Sequence, residues 1–172
     1  MKIAIACDHI VTDRKIHMID YLKEKGYDVV DCGTCDHIRT HYPIFGKKLA
    51  ETVVSGEADL GITICGTGVG ITTAAAKVPG ARTALVRDAA TAEYVKKHLD
   101  ANIIGMGGRI TGVGLMEYIV DRFIETKAEP DENDKRIIEK INALAQRKDD
   151  QYKNVHFFDK FIDRWDQGYY HD

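Results

Sequence analysis

Short apolar runs alternate with longer stretches of helical periodicity through most of this chain, and that alternation limits the fold more than any other feature. The first run, Ile3-Ala4-Ile5-Ala6, ends in the polar cluster Cys7-Asp8-His9. A buried parallel strand reads this way when it delivers its C-terminal end to a site. Over residues 12–25 the apolar positions Ile16, Ile19 and Leu22, joined by Met18, recur at helical spacing, and Gly26 supplies a stop. The same unit repeats. Residues 27–31, 60–64, 82–86 and 102–106 read as further strands, and 43–55, 89–99 and 113–126 as helices. Such alternation implies a parallel sheet covered by helices on both faces. The expected fold is α/β: a Rossmann-like three-layer sandwich on a five-stranded parallel sheet, with an extra C-terminal helix and tail.

The last part of the chain changes character. After Pro130 the acidic cluster Asp131-Glu132-Asn133-Asp134 opens a helix whose Ile137, Ile138, Ile141 and Leu144 recur at helical spacing. Beyond Lys153 come Phe157, Phe158, Phe161, Trp165, Tyr169 and Tyr170, far denser than the 8% aromatic average. Aromatic rings outside the repeating units are expected to dock on another subunit rather than sit in water. The division is therefore an α/β domain at 1–150 and an aromatic tail at 151–172.

Composition narrows the function. With 172 residues, 44% of them hydrophobic, the chain can build one domain with a real core. A net charge of -3 offers no basic field for nucleic acid, which is held mainly by concentrated Lys and Arg. The N-terminal segment reaches Asp8 too early for a signal peptide, and no run is long enough to cross a bilayer. The expectation is a cytoplasmic protein that binds a small molecule, with neither nucleic acid nor membrane as partner. In that compartment Cys7, Cys32, Cys35 and Cys65 are read singly rather than as disulfides. Cys32-x-x-Cys35 with His37 and His41 raises a zinc site, the weaker reading because only one cysteine pair is present. A thioredoxin-type redox role is equally weak, since nothing near the pair resembles a helix start carrying an exposed thiolate.

In an open parallel sheet, ligands bind beyond the carboxyl ends of the strands. The candidates are therefore Cys7-Asp8-His9, Cys65-Gly66-Thr67-Gly68-Val69-Gly70, Arg87-Asp88 and Gly107-Gly108-Arg109. Gly66, Gly68 and Gly70 permit a tight turn whose backbone N–H groups can face an oxyanion at a helix start. The segment is not a P-loop, because no Lys-Ser or Lys-Thr closes it, and it lacks dinucleotide spacing. A cysteine at that position is a candidate base or nucleophile. Asp8-His9 can position a hydroxyl or assist ring opening, since His donates and accepts protons near neutrality. His98 and Asn102 flank the start of the fifth strand and read most simply as helix capping.

Three segments together resemble the ribose-5-phosphate isomerase B family: Ile5-Ala6-Cys7-Asp8-His9, Arg39-Thr40-His41-Tyr42-Pro43, and above all Ile64-Cys65-Gly66-Thr67-Gly68-Val69-Gly70-Ile71. His98 to Asn102 and Gly107-Gly108-Arg109 add to the match, which covers about residues 1–125. Length and tail are most similar to a hexose-phosphate branch of that family, which interconverts galactose 6-phosphate and tagatose 6-phosphate. The resemblance implies proton transfer between adjacent carbons through a cis-enediolate, with Cys65 as the base and Thr67 hydrogen-bonding near it. It implies further that backbone N–H groups of Gly66 to Gly70 stabilise the enediolate oxygen and that Asp8, His9, Arg39 and Tyr42 line the pocket. No metal or organic cofactor is implied.

Two departures matter. Where the family carries a Gly-Gly-Arg-His-type segment and a second arginine for the phosphate of a neighbouring subunit's site, residues 125–134 here are acidic. Carboxylates in that place repel a phosphate dianion. Leu99 also breaks the family's His-Asn pattern. The expectation is a chain that keeps the base half of the site and takes its phosphate-binding arginines from a paralogous A-type subunit in a hetero-oligomer. A self-sufficient homo-oligomeric ribose-5-phosphate isomerase, rescued by Arg136, and a non-catalytic flavodoxin-like partner are the alternatives.

Overall fold

The computed structural model describes residues 1–146 and 148–168; Tyr169 and Tyr170 of the aromatic tail lie outside the described residues. Five strands, β1 (Lys2–Cys7), β2 (Asp28–Asp31), β3 (Leu60–Cys65), β4 (Thr83–Leu85) and β5 (Ile103–Gly107), form one parallel sheet in the order β2-β1-β3-β5-β4. The expected sheet is present, with strand ends moved by a residue or two. Crossover connections put α1 (Thr12–Glu24), α4 (Ala89–Leu99) and α5 (Val113–Glu125) over one face, and α2 (Tyr42–Val54) and α3 (Val69–Ala75) over the other.

The two faces differ because strand side chains alternate. Ile3, Ile5, Ile62, Ile64, Ile104 and Met106 enter the larger core with Met18, Leu22, Ile119 and Phe123 from the helices. Ala4, Ala6, Cys65 and Ile103 face Leu49, Ala50, Val53, Ile71 and Ala75 on the other side. Small residues on that second face let α2 and α3 lie close, which brings the start of each helix against the end of β3.

Local chemistry sets the ends. Gly26, at φ +85°, stops α1 as its place in the sequence suggests. Asp88 caps α4 by accepting the Thr91 N–H, and Asp131 caps α6 (Glu132–Ala143) by accepting those of Asn133 and Asp134. The helix α6 packs on α4 but buries none of its residues, leaving Ile137, Ile141 and Leu144 exposed. Among its described residues the tail contains one further helix, α7 (Asp159–Asp166), that the apolar spacing did not announce. Its approach runs over the chain's own α2: the Lys153 N–H donates to Glu51, the Lys153 ammonium pairs with Glu57 at 2.5 Å, and Phe157 lies 5.6 Å from the Lys47 ammonium.

Candidate active site

Register brings the candidate segments to one edge of the sheet. Cys7 stands beside Ile64, and Cys65 beside Gly107. Asp8-His9, the Cys65 turn and Gly108-Arg109 therefore leave the carboxyl edge side by side. Backbone bonds stitch two of them together: the Gly108 N–H donates to the Cys65 carbonyl at 2.8 Å, and the Arg109 N–H to the Gly66 carbonyl at 3.1 Å.

Cys65 is 5% exposed and ends β3. Its sulfur accepts the Gly68 N–H at 3.2 Å, so the turn folds back on the residue that opens it. That return needs Gly68 at φ +82°, where a Cβ would stand 2.6 Å from the Met106 carbonyl carbon. The Thr72 hydroxyl locks the turn by donating to the Gly68 carbonyl at 2.6 Å. Thr67 is exposed, and its hydroxyl accepts the Val69 N–H at 3.4 Å. The helix that follows is only seven residues long, so individual N–H groups rather than a long aligned dipole supply the local field.

Asp8 is buried, and its carboxylate accepts the Ile10 N–H at 3.1 Å. Burial pushes its pKa above the ordinary value, opposed by that N–H and by His9 and Arg109. The Nδ1 of His9 accepts the Thr40 N–H at 3.2 Å, which leaves Nε2 as the ring's proton carrier. Thr40 belongs to the segment leading into α2, and Tyr42 at that helix's start lies against Gly70, where an added Cβ would sit 2.7 Å from the ring. Residues 40–42 thus bridge His9 to the glycine turn. Arg39, next in line, places its guanidinium 4.4 Å from the centre of the Trp165 ring.

Two positions carried by the resemblance lie elsewhere. His98 sits in the last turn of α4, and α4 runs back to the start of β5, the sheet edge opposite Cys65. Five strand residues at ~3.3 Å each put roughly 15 Å between those edges. His98 is bonded to Asp134 at 2.9 Å and tilted over Tyr94, and is not a simple cap. Asn102 does serve the backbone, accepting the Arg82 N–H and donating to the Gly80 carbonyl. Arg136 is exposed on α6 and bonds the Glu132 carbonyl.

A cavity of about 600 Å³ is lined by Asp13, Arg14 and Arg109 together with Gly108, Thr111 and the turn after β1. Arg14 was not signalled by the sequence, although its place in the first turn of the helix after β1 puts it at that edge. Cys32 is buried and donates to Thr52 while Cys35 is exposed, so the pair does not converge. Among the described residues no three His, Cys, Asp or Glu side chains gather as a metal site, and no helix is long and apolar enough to cross a membrane.

Comparison with known proteins places the chain. The family model described as Ribose/Galactose Isomerase matches residues 3–141. The galactose-6-phosphate isomerase subunit LacB of Clostridium acetobutylicum is 56% identical over 99% of this chain and 98% of its own length. Ribose-5-phosphate isomerase B of Escherichia coli is 38% identical over 86% of this chain and 98% of its own. The solved ribose-5-phosphate isomerase B of Clostridium thermocellum superposes with a TM-score of 0.81 at 42% identity, covering 84% of this chain and 97% of that one. The fold, the glycine turn after β3 and these matches agree: the chain belongs to the ribose/galactose isomerase family of sugar-phosphate isomerases.

Proposed function

We propose that the chain is one subunit of an enzyme that interconverts galactose 6-phosphate and tagatose 6-phosphate in the cytoplasm, and that a related A-type subunit supplies the phosphate-binding arginines. The observation that carries this reading is the Cys65 turn: a nearly buried sulfur held by the Gly68 N–H at the mouth of a three-glycine loop. The hexose assignment is supported by the similarity over 99% of the chain to a subunit named for galactose 6-phosphate.

In the open-chain aldose, the Cys65 thiolate takes the proton from C2. The C1–C2 bond becomes double and the C1 oxygen takes up negative charge. N–H groups of the turn other than those given to Cys65 and Thr67 stabilise that oxygen, since donors aimed at developing charge usually supply the largest catalytic contribution. The hydroxyl proton moves from O2 to O1, and the thiol returns its proton to C1, giving the ketose. Thr67 holds a hydroxyl near the reacting carbons. The carboxylate of Asp8 and the Nε2–H of His9 orient the sugar hydroxyls and assist ring opening. Arg39 and Tyr42 wall the pocket. No metal or cofactor enters this sequence of steps.

The split site is supported by two features. His98 and Cys65 stand at opposite sheet edges, so a site that uses both draws on two chains. The region expected to clamp phosphate is acidic, and its carboxylates are committed locally: Asp131 to capping α6, Asp134 to His98, Glu132 to Lys135. The exposed stripe of Ile137, Ile141 and Leu144, with Val155 and Phe161 of the tail, is proposed as the face that meets the second subunit.

Co-expression with the paralogous chain tests this. Galactose 6-phosphate turnover by the pair, and by neither chain alone, is the expected result. Pentose phosphate turnover by this chain alone would move it to the self-sufficient class and make Arg136 its phosphate residue. Assembly without turnover by any combination would leave only a binding role.

A further inference from the structure

The segment at residues 39–42 has two sides. On one, Thr40 is bonded to His9 and Tyr42 lies on Gly70. On the other, the Trp165 indole carries Arg39 at 4.4 Å and His41 in an edge contact at 3.9 Å. Trp165 reaches this place because the tail is tied down on the way, through the Lys153 bonds to Glu51 and Glu57 and through Phe157 on Lys47. Lys153, Phe157 and Trp165 lie past the end of the family match at residue 141. A contact made by a segment outside the shared fold, on residues beside the shared site, is suited to adjusting what the site accepts.

We propose that Trp165 is a positioning residue that fixes Arg39 on the rim of the Cys65 site and thereby strengthens the hold on a six-carbon sugar phosphate. This rests on Arg39 being a substrate-binding residue, as read above. A guanidinium free to swing loses rotamer entropy each time it meets substrate, whereas one stacked on an indole is already ordered. The benefit falls on binding rather than on proton transfer, so it belongs to KM and not to kcat.

The test uses the assembled enzyme with Trp165→Ala, Trp165→Phe, Arg39→Ala and the double variant Arg39→Ala/Trp165→Ala, assayed on galactose 6-phosphate. Trp165→Ala is expected to raise KM about fivefold with kcat unchanged, the size of a partly exposed cation–π contact. Trp165→Phe should recover most of that loss, and in the double variant the tryptophan change should add nothing to Arg39→Ala. Trp165 is the chain's one tryptophan, so its emission in the isolated chain reports the contact without substrate. Arg39→Ala should shift that emission. An unchanged emission, or a normal KM in Trp165→Ala while Arg39→Ala is impaired, would overturn the positioning role alone. A normal KM in Arg39→Ala, or a wild-type assembly inert toward galactose 6-phosphate, would sink the reading of the site and this inference with it. A fall in kcat and thermal stability shared by Trp165→Ala and Trp165→Phe would assign the indole a packing role instead.

Discussion

Two glycines of one turn should respond oppositely to the same methyl group. At Gly68, φ is +82° and an added Cβ would meet the Met106 carbonyl carbon at 2.6 Å, Leu85 at 2.7 Å and the Gly107 nitrogen at 2.9 Å. Two of those atoms are backbone of β5, a fully buried strand that has little room to move. The left-handed conformation costs an alanine about 1–2 kcal/mol. Overpacking adds about 1–3 kcal/mol. Gly68→Ala should therefore lose roughly 4 kcal/mol, which for a chain of this size lowers the melting temperature by about 10 °C. At Gly66, φ is outside the left-handed range and the nearest atom to a new Cβ is Arg109 Cδ at 3.9 Å. Gly66→Ala should be neutral or stabilising by about 0.5 kcal/mol, through the unfolded chain. Thermal and urea unfolding followed by circular dichroism measure both. A Gly68→Ala protein within about 1 kcal/mol of wild type would refute the argument that β5 closes over this turn.

Three other outcomes follow from buried groups. Burial pushes the Cys7 thiol up to about 12 and raises Cys32, so peptide mapping after iodoacetamide at pH 8 should find the exposed Cys35 labelled first and Cys7 and Cys32 spared. The Lys15 ammonium is buried and bonds both carboxylate oxygens of the half-exposed Asp31; Asp31→Ala should cost about 1–3 kcal/mol in urea unfolding and Lys15→Met distinctly less, because only the first leaves the ammonium without its partner. Burial and the charge of Arg39 hold His41 below its ordinary pKa, so the unfolded chain takes the proton first; stability should fall as pH drops below about 6.5, and His41→Gln should flatten part of that slope.

Much of this architecture is legible before any coordinates. Alternating Ile3, Ile5 and Ala4, Ala6 give a strand with two different buried faces, and Asp131 announces the helix it caps, whereas Asp88, a site candidate in the sequence, turns out to cap α4. The Cys65 turn is legible because a cysteine directly precedes three glycines between a strand and a helix, a sharper signal than the glycines alone. What could not be read depends on contacts between distant segments. Trp165 meets Arg39 across more than 100 residues, and no local periodicity encodes such a meeting. The role of His98 was hidden for a similar reason: its partner Asp134 lies 36 positions on, in another helix. Arg14 carries no signal in the sequence, because only the folded turn after β1 puts it on the same cavity as Arg109. The order of β4 and β5 also escapes the sequence, since the alternation of strands and helices leaves open which edge each crossover joins.

The base role of Cys65 is the centre of this account, and solvent exchange at the sugar tests it most directly. Galactose 6-phosphate would be incubated with the assembled enzyme in deuterium oxide, and the label at C2 of the aldose and C1 of the ketose followed by NMR. Wild-type enzyme is expected to incorporate deuterium as it isomerises, and Cys65→Ala, with assembly intact, to do neither. A Cys65→Ala enzyme that still exchanged and turned over would place the base on another residue.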